Sequence, residues 1–239
     1  MNTRIPTLCL LSLLVPPGVN AASETKPAWT LEGQLGGVLT AGNTETSSLN
    51  LGLTLKTELG RCQTRQQLQW LYKEENGTAS ADRLQYDGRV ERTLDANRAL
   101  FYSSQLLRDR FAGYNRQDSL LLGYRHQWKH GAHSLQLRPA LGYRISEAQN
   151  RNDTDDELIL GLGAEYQWTW SESSRLENRL QMDWGQENVH SSNTLSVHSQ
   201  LNGKLSLKVS LLLDHNSSVP PERKNLDTTT SVNLVYQLH

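Results

Sequence analysis

From Trp29 to the end of the chain, apolar and polar residues alternate with period two through one long run after another, and no stretch carries the 3.6-residue period of an amphipathic helix. Period two sends successive side chains to opposite faces of an extended strand. In the first run Trp29, Leu31, Gly33, Leu35, Gly37 and Leu39 share one face, and Thr30, Glu32, Gln34 and Thr40 the other. The second run sets Leu49, Leu51, Leu53 and Leu55 against Ser48, Asn50, Thr54 and Lys56. Further strands are predicted at 64–74, 83–94, 98–108, 119–129, 134–146, 157–170, 175–186, 194–201, 204–214 and 228–238, twelve in all. In the fifth, Leu106 and Leu107 fall on opposite faces and leave the register open. Most runs hold ten to fourteen residues, enough to cross a bilayer when tilted, which takes about 9 to 11.

The connectors alternate in size. Tight turns are predicted at 60–61, 95–97, 131–132, 171–174 and 202–203, and longer polar loops at 76–82, 111–117, 147–156 and 215–226. Short turns on one side and longer loops on the other are the pattern of an outer-membrane barrel, whose even strand count leaves both termini in the periplasm. Aromatic residues fall at strand ends, where membrane interfaces favour amphipathic rings. Trp29, Trp128, Trp168, Trp170 and Tyr236 lie at the short-turn ends, and Trp70, Tyr72, Tyr86, Tyr143 and Trp184 near the opposite ends. A soluble β-sandwich would not require this clustering. The fold class predicted is all-β, a single antiparallel transmembrane β-barrel of about 12 strands.

Composition agrees with a barrel that is polar inside. Only 36% of the 239 residues are hydrophobic and two are Phe, thin for a soluble double-layered core. The formal charge of -1, from 24 basic and 25 acidic residues, provides no footprint for nucleic acid, so no nucleic-acid partner is expected. Arg4, the apolar run 5–15 and the small residues around Val19-Asn20-Ala21 read as an export signal over 1–22, cut near Ala21 or Ala22, with the barrel domain at 23–239. Cys9 lies in that leader, and Cys62 alone makes neither a disulfide nor a cysteine metal site. No cofactor is expected. Oligomeric state is not legible.

Three segments carry a family resemblance. Trp29, Gly33 and Gly36 followed by Thr40-Ala41-Gly42-Asn43-Thr44-Glu45-Thr46, then Arg108-Asp109-Arg110-Phe111-Ala112-Gly113, then the stretch 220–229 resemble the salt-induced outer-membrane protein family, a domain-of-unknown-function family. The resemblance spans nearly the whole mature chain. It implies an outer-membrane barrel linked to salt stress, with outer-membrane lipids, lipopolysaccharide and the barrel-assembly machinery as partners, and it carries over no catalytic or binding residue. Barrels of this kind usually close on an aromatic residue read by the assembly machinery, whereas here His239 follows Tyr236 and Leu238.

The inward face predicted from the alternation is densely charged. Opposite charges there are expected to pair across strands and fill a narrow lumen. The alternative is a small porin-like solute channel, lined by Arg89, Arg125, Arg144, Glu165 and Arg179, with the arginines giving anion preference. A remote second alternative is a lipid hydrolase using His190 and Ser192, two apart and able to point the same way, though an exposed loop accounts for them more simply. His126, His130 and His133 flank one turn without a zinc spacing, and Asp153, Asp155, Asp156 and Glu157 lack the glycine and spacing of a calcium loop. No catalytic activity is expected.

Overall fold

The computed structural model describes residues 28–40, 46–109, 114–148, 154–219 and 225–238. The predicted leader, the Gly42-Asn43-Thr44 segment, Asp153 and His239 lie outside the described residues. The chain forms β1 (Ala28–Thr40), β2 (Thr46–Leu59), β3 (Cys62–Glu75), β4 (Thr78–Thr93), β5 (Arg98–Asp109) and β6 (Tyr114–His130). It continues with β7 (His133–Ala148), β8 (Thr154–Ser171), β9 (Ser174–Trp184), β10 (Val189–Gln200), β11 (Leu205–Asn216) and β12 (Leu226–Leu238). Every strand pairs antiparallel with its sequence neighbours, and β1 closes on β12 from Leu31↔Leu238 to Gly36↔Asn233. Closure removes the unpaired edges that an open sheet would expose.

Alternation sorts the two faces as the period requires. Leu158, Leu141 and Leu122 stand outward, 78%, 70% and 68% exposed, whereas Arg125 and Arg144 on the inner face are 6% and 4% exposed. A band of outward leucines this broad is unsuited to water and matches hydrocarbon. Both aromatic groups point outward with it. At the short-turn end His133 stacks on Trp168, their rings 5.9 Å apart, and His126 packs 4.3 Å from Trp128. At the other end the indole of Trp70 donates to Asp82 at 3.2 Å.

The loop asymmetry is smaller than predicted. The expected loop at 76–82 is a two-residue turn, Asn76-Gly77, with φ of 49° and 75°, and β4 already begins at Thr78. Two consecutive positive φ angles make the twisted turn that matches strand twist, and Asn-Gly tolerates it best. The predicted connector before residue 194 is also shorter, because β10 begins at Val189. In β5, Leu106 turns outward and Leu107 inward, and the register then shifts at Arg108.

The interior is not wholly polar. Phe101, Leu121, Ala140 and Ile159, from β5, β6, β7 and β8, form a buried apolar cluster on the inner wall. Glycines make the space for it. A Cβ on Gly123 would lie 2.5 Å from the Phe101 ring, and one on Gly161 would lie 2.5 Å from Leu121 Cδ2.

Candidate functional site in the barrel interior

Inward positions on neighbouring strands bring opposite charges together, and the result is a chain of ion pairs around one wall of the lumen. It starts at Glu91 on β4, whose Oε2 accepts from Arg125 Nε at 2.9 Å. Arg125 reaches it over β5, where Ala99, fully buried and in register with Arg125, leaves room. Arg138 on β7 lies 3.7 Å from Glu91 and 3.3 Å from Glu165 on β8. Arg179 on β9 follows, 3.6 Å from Glu165 and 2.5 Å from Glu177. His198 on β10 ends the series, 3.8 Å from Glu177 and 3.2 Å from Arg175. Such pairs satisfy charges that burial would otherwise penalise.

A second network lies nearer the opposite mouth. Arg144 Nη2 donates at 2.5 Å both to Glu157 and to the carbonyl of Asn188. Asn188 belongs to the β9–β10 connector, which tucks inward. Its side chain donates to Asn216 at 2.8 Å and accepts from Ser217 and Ser218, while Glu187 N–H donates to Glu157 at 3.0 Å. Gly185 permits this fold-back, since a Cβ there would sit 2.2 Å from Glu157 Oε2. Beside it Asp214 on β11 holds Arg83 at 3.1 Å and His190 Nε2 at 2.8 Å.

A cavity of about 240 Å³ lies within the lumen, lined by Arg65, Arg89, Glu165, Arg179 and Lys208 among others. Arg89 holds its guanidinium carbon 5.8 Å from the centre of the Phe101 ring. Arg89, Glu165 and Arg179 thus meet at the cavity, while Arg125 anchors Glu91 and Arg144 pins the inward connector.

The other expectations fare differently. His190 and Ser192 are not in an exposed loop but face inward from β10, and His190 gives its Nε2 to Asp214 instead of Ser192. His133 Nδ1 meets the Tyr166 hydroxyl at 2.8 Å and His126 the Tyr124 hydroxyl at 3.2 Å, both on the outer face. The acidic run splits, with Asp156 outward against the Tyr143 hydroxyl and Glu157 inward against Arg144. No group of three or more possible metal ligands occurs among the described residues. Arg65, Asp214 and His198 were absent from the predicted lumen set. Counting by twos from Leu68 and Trp70, which face outward, places Arg65 inward.

Comparison with known proteins gives a family and a fold. The family model described as "Protein of unknown function, DUF481" matches residues 33–238. An uncharacterized protein of Escherichia coli (strain K12), YdiY, is 27% identical over 228 residues, covering 91% of this chain and 86% of its own. Among solved structures, the NanC porin aligns with a TM-score of 0.55 at 8% identity, over 86% of this chain and 98% of that one. An outer-membrane channel of Pseudomonas putida F1 aligns with a TM-score of 0.52 at 12% identity, over 93% and 98%. At these identities the likeness is one of fold.

Proposed function

This chain belongs to the DUF481 family of proteins of unknown function, and within it we propose that it is a narrow outer-membrane channel for small solutes with a preference for anions. The observation that carries this reading is the cavity inside the lumen, on whose wall four arginines and a lysine face four carboxylates, Asp87, Glu165, Glu177 and Asp183. Six arginines, Arg65, Arg89, Arg125, Arg138, Arg175 and Arg179, face the periplasmic half of the lumen together with Lys56 and Lys208. Glu32, Asp87, Glu91, Glu165 and Glu177 face it with them, and Glu58 stands at the exposed rim. Cations outnumber carboxylates there, and a ring of fixed positive charge in a low-dielectric wall concentrates anions.

Nearer the outer mouth the balance reverses, with Asp109, Asp183, Asp214 and Glu157 against Arg83 and Arg144. Charge that changes sign along a pore makes its current asymmetric in voltage. On this reading outer-membrane lipids and lipopolysaccharide surround the leucine band, and the barrel-assembly machinery inserts the chain after the leader is removed near Ala21 or Ala22.

A second reading, a stress-linked barrel that conducts nothing, is favoured by the ion pairs that crowd the lumen and by the inward β9–β10 connector. Planar bilayers separate the two. Purified folded barrel is expected to insert with discrete, uniform conductance steps, and their absence with correctly folded protein would leave the structural reading standing.

A further inference from the structure

Arg65 on β3 and Arg89 on β4 are direct cross-strand partners, and both side chains face the lumen. Two like charges at opposed positions repel, so this pair works against the sheet that holds it. Elsewhere on the wall an interposed glutamate relieves such crowding, but not here. Arg65 donates to Gln67 at 3.2 Å, and no carboxylate among the described residues lies within 4.0 Å of it. The carboxylate beside Arg89 is Glu91 at 3.8 Å, already held by Arg125 at 2.9 Å. Asp87, two residues along the same face, accepts instead from Gln85 and Gln105 at 2.8 and 3.0 Å.

The Nε of Arg89 is buried and has no hydrogen-bond acceptor. Lys208 enters the cavity from β11, also without a carboxylate within 4.0 Å among the described residues. Arg65, Arg89 and Lys208 therefore converge from separate strands on one space whose carboxylates, Asp87, Glu165, Glu177 and Asp183, are engaged by other partners. A guanidinium presents parallel N–H groups that match an oxyanion in two bonds at once, which a halide cannot use in the same way. The space, about 240 Å³, is below the roughly 300 to 1,000 Å³ of sites for larger organic ligands.

We infer that Arg65, Arg89 and Lys208 form a binding site for a compact, multiply charged oxyanion inside the lumen. The anion takes the place of the missing carboxylate between Arg65 and Arg89, while Phe101 holds the Arg89 guanidinium to the wall. The inference rests on the channel reading for the route by which the anion arrives, and the site itself is independent of conduction.

The test uses the folded barrel in detergent, titrated with inorganic phosphate at constant ionic strength, with chloride as the reference anion and succinate as a second arm. Binding is read by calorimetry and by the temperature at which heat-dependent gel mobility is lost. Phosphate is expected to bind saturably and raise that temperature. Arg65→Gln and Arg89→Gln are expected to weaken binding by at least about tenfold while matching or exceeding the parent's stability without phosphate, because the repulsion is gone. Arg98→Gln, at the exposed start of β5, should bind as the parent does. Succinate binding in place of phosphate would assign the site to dicarboxylates. No saturable effect of either anion on the parent barrel, or one unchanged in both glutamine variants, would overturn the site. Conductance without binding overturns the site and spares the channel, and binding without conductance does the reverse.

Discussion

Arg125 on β6 reaches across β5 to place its Nε 2.9 Å from Glu91 Oε2 on β4, passing over Ala99, the small residue in register with Arg125. Both side chains are nearly enclosed, at 8% and 12% exposure. Removing one partner of an enclosed pair strands the other charge, at a cost of about 3 kcal/mol or more. Glu91 keeps Arg138 at 3.7 Å and Arg89 at 3.8 Å, so Arg125→Ala is expected to lower stability by less than that, about 1.5 to 3 kcal/mol, in urea unfolding of the micelle-bound barrel. Glu91→Gln should lose more, because it takes the shared carboxylate from Arg125, Arg138 and Arg89 together. Equal losses would show that Glu91 does not hold the cluster.

Leu141 sits mid-strand on the outer face of β7, 70% exposed. In water an arginine there would be close to neutral. In hydrocarbon near the bilayer midplane it costs about 2 to 4 kcal/mol. Leu141→Arg, measured by reversible unfolding from lipid vesicles, should lose that much, and a loss within experimental error would contradict the assignment of this face to lipid.

Arg144 holds the inward β9–β10 connector by its hydrogen bond to the Asn188 carbonyl. Arg144→Gln shortens the side chain and removes the charge that faces Glu157. The connector should then swing outward more often, and single-channel conductance should rise with added noise. Unchanged conductance and noise would mean that the connector does not limit the pore.

Asp95 lies in the β4–β5 turn, outside the spanning strands, and accepts from the Arg98 side chain and from the backbone N–H groups of Asn97 and Arg98. The side-chain bond to Arg98, with the backbone bond to Asn97 next, holds its carboxyl below the ordinary 3.8. A group whose pKa is depressed by folding adds stability above its unfolded pKa and loses it as pH falls through the folded value. The turn is therefore expected to loosen only at pH values below the ordinary carboxylate range, and Asp95→Asn should remove that acid limb. Carboxyl chemical shifts followed from pH 6 to 2 (about this range suffices) check the direction, and a midpoint above the ordinary Asp value would refute it.

The outer surface was legible in the sequence because hydrocarbon demands an apolar residue at every second position, and Leu49 to Leu55 or Leu158 to Trp168 meet that demand without interruption. The inner surface obeys no such rule. Leu121 hides between Leu120 and Leu122, Ile159 between Leu158 and Leu160, and Phe101 between Leu100 and Tyr102, so the buried cluster reads as part of the lipid face. Arg65 is obscured differently, flanked by Gln63, Thr64, Gln66 and Gln67, which are polar on both sides. The inward turn of Asn188 depends on Arg144, Asn216 and Ser217, partners from other strands that no local pattern announces.

The central claim is that the basic periplasmic half of the lumen makes this barrel a narrow channel that prefers anions. The reversal potential of single channels under an about tenfold KCl gradient tests it most directly. The predicted result is a reversal potential of the sign set by chloride, reduced in Arg65→Gln and Arg89→Gln. A reversal potential of the sign set by potassium would contradict it.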